Sequence, residues 1–261
     1  MGDNDRGIAF LGISPLRAEA SDRAEMVNVV LFGETFEILE QQAKWSRIRL
    51  HHDLYEGWID NLQYQGLSNE EFSRIQSSNR HICSETVQLL QAEDAAKSTL
   101  IPQGSLLPLF DGKTTVIGDQ IFKFEGEQTT GTGSREALVH TAFSYLNAPY
   151  MWGGRTPFGV DCSGFTQMVY RQYGASIPRD ASQQAKLGET LSFLEECLPG
   201  DLAFFDNTEG AITHVGIVLE DGKIIHASGR VRVDGLDQSG IYNSELGRHT
   251  HKLRVLKRMI L

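Results

Sequence analysis

Short runs of alternating or continuous apolar residues fill the first half of the chain, and longer, helix-like spacings take over near its middle. VNVVLFGETFEILEQ (27–41) is β-branched and aromatic with a Gly-Glu break. WSRIRL (45–50) alternates, setting Trp45, Arg47 and Arg49 on one face and Ser46, Ile48 and Leu50 on the other. EGWIDN (56–61) follows a polar loop. Short strands between polar turns predict a small barrel. SNEEFSRIQS (68–77) reads as a helical connector, because Ser68 and Glu71 have capping-box spacing. A second short-strand region, TLIPQGSLLPLFDGKTTVIGDQIFKFEG (99–126), is punctuated by turns at Pro102-Gln103-Gly104, Asp111-Gly112 and Gly118-Asp119. It predicts a second small barrel.

The Gly/Thr-rich stretch EGEQTTGTGSRE (125–136) is the main boundary. Beyond it, SREALVHTAFSYLN (134–147) has near-helical apolar spacing with Ser134 as N-cap. DCSGFTQMVYRQYG (161–174) reads as a second helix ended by Gly174. DLAFF (201–205), HVGIVL (214–219), KIIHAS (223–228) and KLRVLKRMIL (252–261) read as strands. Helices followed by a run of strands predict an α+β domain. The expected division is 1–75 and 76–128 for two small β-barrels, then 129–261.

Composition narrows the function. The 261 residues carry a formal net charge of -10, which argues against binding a phosphate backbone and so against a nucleic-acid partner. No stretch approaches the roughly 20 apolar residues of a membrane span. The N-terminal sequence MGDNDRGIAFLGISPLRAE has no long apolar core of the secretory type. Three cysteines, Cys83, Cys162 and Cys197, form no disulfide framework and fit a reducing compartment. The expectation is a cytoplasmic protein, or a periplasmic one if a leader has been removed. The sequence is silent on oligomeric state.

Cys162 stands where a helix starts after a loop rich in Gly and Pro. Backbone N–H groups and the helix dipole there favour a thiolate, and a Cys at such a site can have a depressed pKa. A lone cysteine is more often a small buried hydrophobe; two histidines shift the balance. In HVGIVL-EDG-KIIHAS, a three-residue Glu220-Asp221-Gly222 loop with left-handed Gly222 pairs Leu219 with Lys223 and puts His226 opposite Gly216. His214 and His226 then share a face as diagonal neighbours, roughly 7–8 Å apart at the backbone. Val215, Ile217, Leu219 and Ile225 face a core. A two-residue Asp221-Gly222 loop would separate the rings onto opposite faces, so a catalytic pairing requires the longer loop. His214 as base and His226 as the group orienting its ring would serve a thiol nucleophile. A zinc site of one Cys and two His is a rival use of the same residues, but no CxxC or HxxxH pair starts one; no metal or other cofactor is expected. His51, His52, His81, His140, His249 and His251 read as surface or structural, and Cys83 and Cys197 as structural.

Taken together and in order, PYMWGG, DCSGF, PRDASQQ, LPGDLAFF, THVGIVL and IIHAS make residues 134–261 resemble the NlpC/P60 family of papain-like cysteine peptidases. SPLRAEASDRAEMVNVVLFGE and YEGWI resemble a bacterial SH3-like domain. The layout is similar to the branch of γ-D-glutamyl-L-diamino acid endopeptidases, with two SH3-like barrels ahead of a papain-like α+β catalytic domain. The resemblance implies Cys162 as nucleophile, His214 as base and His226 as third member. It implies a small peptidoglycan stem peptide with a free N-terminal L-alanine as substrate, cut between γ-D-glutamate and the diamino acid. Asp180, in PRDAS, would hold the free amine; its plainer reading is a loop acid or N-cap of ASQQ. Tyr150 and Trp152 would wall the cleft, with the Tyr150 hydroxyl near the oxyanion and core packing as the alternative. Asp161 and Ser163 would contact substrate, Ser182 less so, and Glu25 and Tyr55 would close the pocket from the first SH3-like domain. A non-catalytic wall-binding protein and another amidase or acyltransferase of this fold are the alternatives.

Overall fold

The computed structural model describes residues 5–131 and 133–259, and the chain divides into two compact units, Met1–Gly131 and Thr132–Leu261. The first four residues of the polar N-terminus and the last two of KLRVLKRMIL lie outside the described residues. Among the described residues no helix is long and apolar enough to cross a membrane.

The first unit opens with a seven-stranded antiparallel sheet. Across it run Met26–Leu31, Ile13–Arg17, Glu56–Asp60, Trp45–Leu50, Thr35–Gln41, Arg6–Ala9 and Tyr64–Gly66. Ser46, Ile48 and Leu50 are buried, as the alternation predicts, and Ile48 and Leu50 join Leu16, Val30, Phe36 and Ile59 in one cluster. The connector is a helix, Asn69–Ser77, with the expected capping box: Glu71 N donates to Ser68 Oγ at 3.2 Å, and Ser68 N donates to the Glu71 carboxylate at 2.9 Å.

The second strand group, expected as a small barrel, shares its core with the strands before it. Thr99–Pro102, Val87–Ala92, Gln120–Lys123 and Thr114–Ile117 form a four-stranded antiparallel sheet. Its side chains Leu90, Ile101, Ile117 and Phe122 cluster with Ile8 of the first sheet and Phe32 in the turn after Met26–Leu31. A shared core makes 76–128 part of one compact unit with the strands before it.

The second unit is α+β. Its helices are α1 (Arg135–Ser144), α2 (Cys162–Tyr173) and α3 (Ala181–Gln184). Ser134 caps α1, accepting from Ala137 N, and α2 ends at Gly174 in the left-handed region, both as predicted. Seven strands follow: β1 (Glu189–Leu191), β2 (Leu202–Asp206), β3 (Ile212–Val218), β4 (Lys223–Ser228), β5 (Arg230–Asp237), β6 (Gly240–Asn243) and β7 (Arg248–Arg258). Their order is β1-β7-β2-β3-β4-β5-β6, and a further β6–β7 pairing closes the last six into a ring. Ala203, Phe205, Val218, Ile224, Leu236, Ile241 and Leu256 form a buried cluster on the inner face of that ring. β5 and β6 were not evident from the sequence, and they are what closes it.

Candidate active site

Cys162 is the first residue of α2 and is 7% exposed. The residue before it, Asp161, is the N-cap, its Oδ1 accepting from Gly164 N at 2.7 Å. Gly164 is required by close approach, because a Cβ there would lie 2.2 Å from Gly154 O. The Cys162 sulfur lies against the backbone of β3 on either side of His214. It is 4.0 Å from Thr213 O, and the Val215 N–H donates to it. The position is the expected helix start, but the expected thiol shift is reversed. Burial first, then the Asp161 charge, push the thiol up to about 11, outweighing the Val215 and Ser163 N–H groups and the Arg179 charge that favour the thiolate.

The histidine hairpin has the three-residue loop. Gly216 pairs with His226, Ile217 with Ile225 and Val218 with Ile224, and Leu219 N donates to Lys223 O at 2.8 Å. Gly222 is left-handed (φ +63°), and Asp221 joins it at φ +56°. His214 Nε2 lies 2.8 Å from His226 Nδ1. A Cβ on Gly216 would stand 2.8 Å from His226 Cβ, so only glycine leaves the diagonal open. Beyond His226, its Nε2 lies 3.1 Å from Asp234 Oδ2 on β5, and Arg232 Nε donates to the same oxygen at 2.7 Å. Burial first, then the His226 and His251 charges, hold His214 well below the ordinary imidazole range.

The other anticipated residues divide. Tyr150 is half-exposed near the thiol; burial and then the Cys162 and Asp161 charges raise its hydroxyl to about 12, so it stays a donor at neutral pH. Trp152 is 60% exposed, which excludes core packing. Asp180 stands at the N-cap of α3, the place its plainer reading gives it, without a side-chain capping bond. Ser182 is exposed on α3.

Asp161 and Ser163, expected as substrate contacts, are bonded to Arg179 and to each other. Asp161 Oδ1 accepts from Gly164 N and from Arg179 Nη1 at 2.9 Å, and Oδ2 accepts from Gly153 N at 2.9 Å and from Arg179 Nη2. Both carboxylate oxygens thus accept from the guanidinium and from a backbone N–H. The Ser163 hydroxyl accepts from Arg179 Nη1 at 3.0 Å and donates to Asp161 at 3.3 Å. Both side chains hold the helix start. Glu25 and Tyr55 belong to the first unit: Glu25 is exposed just before Met26–Leu31, and Tyr55 is half-buried against the Ile48 and Leu50 cluster.

His251, expected at the surface or in a structural role, stacks its ring on His214 with centroids 4.1 Å apart and planes at 25°. Simple alternation back from buried Leu256 turns His251 outward. A bulge in β7, where Phe204 pairs with Val255 but Phe205 with Leu253, brings it to the inner face. Burial first, then the His226 charge, lower His251 to about 4. Both His214 and His251 therefore bind protons more weakly folded than unfolded, so stability is lost as pH falls below about 6.5. The melting temperature should drop between pH 6.5 and pH 4, and His251→Phe should flatten that slope; an unchanged slope in the variant would remove His251 from the account. Among the described residues no group of three or more His, Cys, Asp or Glu has the arrangement to hold a metal ion.

Comparison with known proteins follows this geometry. Residues 147–253 match the NlpC/P60 family, and residues 16–62 match the bacterial dipeptidyl-peptidase SH3 domain. The chain is 30% identical over 215 residues to a gamma-D-glutamyl-L-lysine dipeptidyl-peptidase of Bacillus subtilis, covering 76% of this chain and 71% of that protein. It is 28% identical to dipeptidyl-peptidase 6 of Lysinibacillus sphaericus over 92% of this chain and 95% of the relative. A crystal structure of an NlpC/P60 family protein from Bacillus cereus superposes with a TM-score of 0.80 at 20% identity, over 97% of this chain and 99% of that one, a likeness of fold.

Proposed function

The chain belongs to the NlpC/P60 family of cysteine peptidases, and on that premise we propose that it hydrolyses the bond between γ-D-glutamate and a diamino acid in small peptidoglycan stem peptides with a free N-terminal L-alanine. The observation that carries the reading is the meeting of the Cys162 sulfur with the backbone on either side of His214, whose ring is bonded to His226 at 2.8 Å. The relatives' names, which specify γ-D-glutamyl-L-lysine dipeptidyl-peptidase activity, support the substrate class.

Thiol and imidazole are both neutral at rest, given the raised thiol and the lowered His214. In the proposed reaction His214 takes the thiol proton as the sulfur bonds to the γ-glutamyl carbonyl carbon. The oxyanion faces the backbone N–H at the start of α2 and the Tyr150 hydroxyl. His214 then passes the proton to the departing amine, the C–N bond breaks, and a thioester remains. Water, deprotonated by His214, releases the L-Ala-γ-D-Glu dipeptide and restores the thiol. No step requires a metal or cofactor.

Asp180 is the proposed partner of the free amine. Incubation with L-Ala-γ-D-Glu-diaminopimelate should yield L-Ala-γ-D-Glu by mass, and N-acetylation of the substrate should stop the reaction. Asp180→Asn should lower kcat/KM about 10- to 100-fold, the effect of losing a charged hydrogen bond of about 1.5–3 kcal/mol. Equal cleavage of blocked and free peptides would sink the amine-recognition reading and point to a general amidase.

A further inference from the structure

Past His226 the ladder of rings ends on a carboxylate that the Cys-His-His reading leaves without a part. His226 and Asp234 side chains are each 1% exposed, and they meet at 3.1 Å. The β4–β5 register pairs Ile224 with Asp234 and His226 with Arg232, so Asp234 is the diagonal neighbour of His226 on the inner face. Arg232 grips the carboxylate with two bonds, Nε to Oδ2 at 2.7 Å and Nη2 to Oδ1 at 3.0 Å, and reaches Glu245 at 3.0 Å on its other side.

With both rings neutral, this chain of bonds has one consistent placement of hydrogens. A carboxylate doubly bonded to a guanidinium is an anion and only accepts. His226 Nε2 therefore carries a hydrogen. In the neutral ring, His226 Nδ1 is then an acceptor, and the hydrogen in the 2.8 Å bond belongs to His214 Nε2. His214 Nδ1 is left with a bare lone pair.

We propose that Asp234 is a positioning residue which, acting through His226, fixes the tautomer of His214 so that Nδ1 is the atom that receives the Cys162 proton. The inference rests on the thiol–imidazole reading above and deepens it. When Nδ1 takes the proton, the positive charge develops on a ladder whose far end is a fixed anion. The titratable neighbours of His214 are His226 from β4 and His251 from β7, and those of Cys162 are Asp161 at the start of α2, Arg179 from the loop before α3 and Tyr150 from the loop before α2. Those of Asp234 are His226 and Arg232, with Glu245 beyond. Asp161 is engaged with Arg179, which leaves Asp234 as the carboxylate bonded to the ladder.

The test uses the full chain and reads alkylation of Cys162 by iodoacetamide from pH 4 to pH 10, followed by peptide mass so that Cys83 and Cys197 are counted separately. Asp234→Asn should slow alkylation at pH 7 by at least 10-fold and move the acid limb of kcat/KM about 1 unit downward, because the imidazolium loses its anion. Asp234→Glu should restore most of the rate. Arg232→Gln removes the opposing cation and should move the limb upward. A purely structural carboxylate predicts instead that both substitutions lower the melting temperature and leave the limb in place, and that result overturns the proposal. If Asp234→Asn does not fold, the upward shift in Arg232→Gln still decides, and a limb that stays put there also overturns it. His214→Ala serves as the separate control: if it leaves Cys162 alkylation unchanged, the thiol–imidazole reading itself fails and takes this inference with it.

Discussion

Cys162→Ala should reduce hydrolysis of L-Ala-γ-D-Glu-diaminopimelate by about 10⁴-fold or more while leaving the folded state nearly intact. The size of the loss follows from what the sulfur does. It is the atom proposed to bond to the acyl carbon. Cys83 is buried and donates weakly to Glu85 O, and burial raises its thiol to about 11. The small cost to folding also follows from the site. The Cys162 sulfur makes weak, long contacts, 4.0 Å to Thr213 O among them, and removing one sulfur leaves a cavity of methyl size, worth about 1 kcal/mol. Alanine keeps the helix start and the Asp161 cap. The measurements are steady-state turnover and a thermal melt on one preparation. Cys162→Ser is a sharper companion, since a hydroxyl fits the space but is a much poorer nucleophile beside a neutral imidazole. Hydrolysis surviving in the alanine variant at even a hundredth of the original rate would remove Cys162 as nucleophile.

The parts of this site that were legible from the sequence are those governed by local rules. The Ser68–Glu71 capping box, the Ser134 cap and the Gly174 terminus depend on a few adjacent residues and came out as expected. The His214–His226 pair was legible because one hairpin loop decides it: a three-residue loop puts both rings on one face, and Gly216 leaves the space between them. What was hidden depends on distant pairings. Asp234 lies on β5, whose pairing with β4 brings it diagonal to His226, and no local rule fixes that pairing from RVRVDGLD alone. His251 reaches His214 only through a bulge in β7, and a bulge is invisible to period-two reasoning. The thiol was misjudged for a related reason. The helix dipole is a local property, whereas the burial that overrides it depends on how tightly α2 packs at its start. Counting turns along the second strand group does not reveal that its core is shared with Ile8 and Phe32.

Arg179 was not singled out beforehand, and its replacement should have the largest effect on stability. Its side chain is 2% exposed and Asp161's 6%, and the two form a bidentate pair at the start of α2. Arg179 also donates to Ser163, so one guanidinium ties the loop before α3 to both residues flanking Cys162. Breaking a buried pair by removing one partner leaves an unpaired charge, which costs about 3–5 kcal/mol. Arg179→Met should therefore lower the melting transition of the second unit by roughly 10 °C or more. Lysine should rescue little, because a single ammonium cannot reproduce the two parallel bonds. The stranded Asp161 carboxylate would also face the thiol without its counter-charge, so activity should fall further than the lost stability explains. The double variant Asp161→Asn/Arg179→Met separates the two effects. It removes the unpaired charge, so it should be more stable than the sum of the single changes predicts, by about 1–3 kcal/mol of coupling. Additive losses in that cycle would mean the ion pair does not hold the start of α2, and the alignment of Cys162 with β3 would then need another cause.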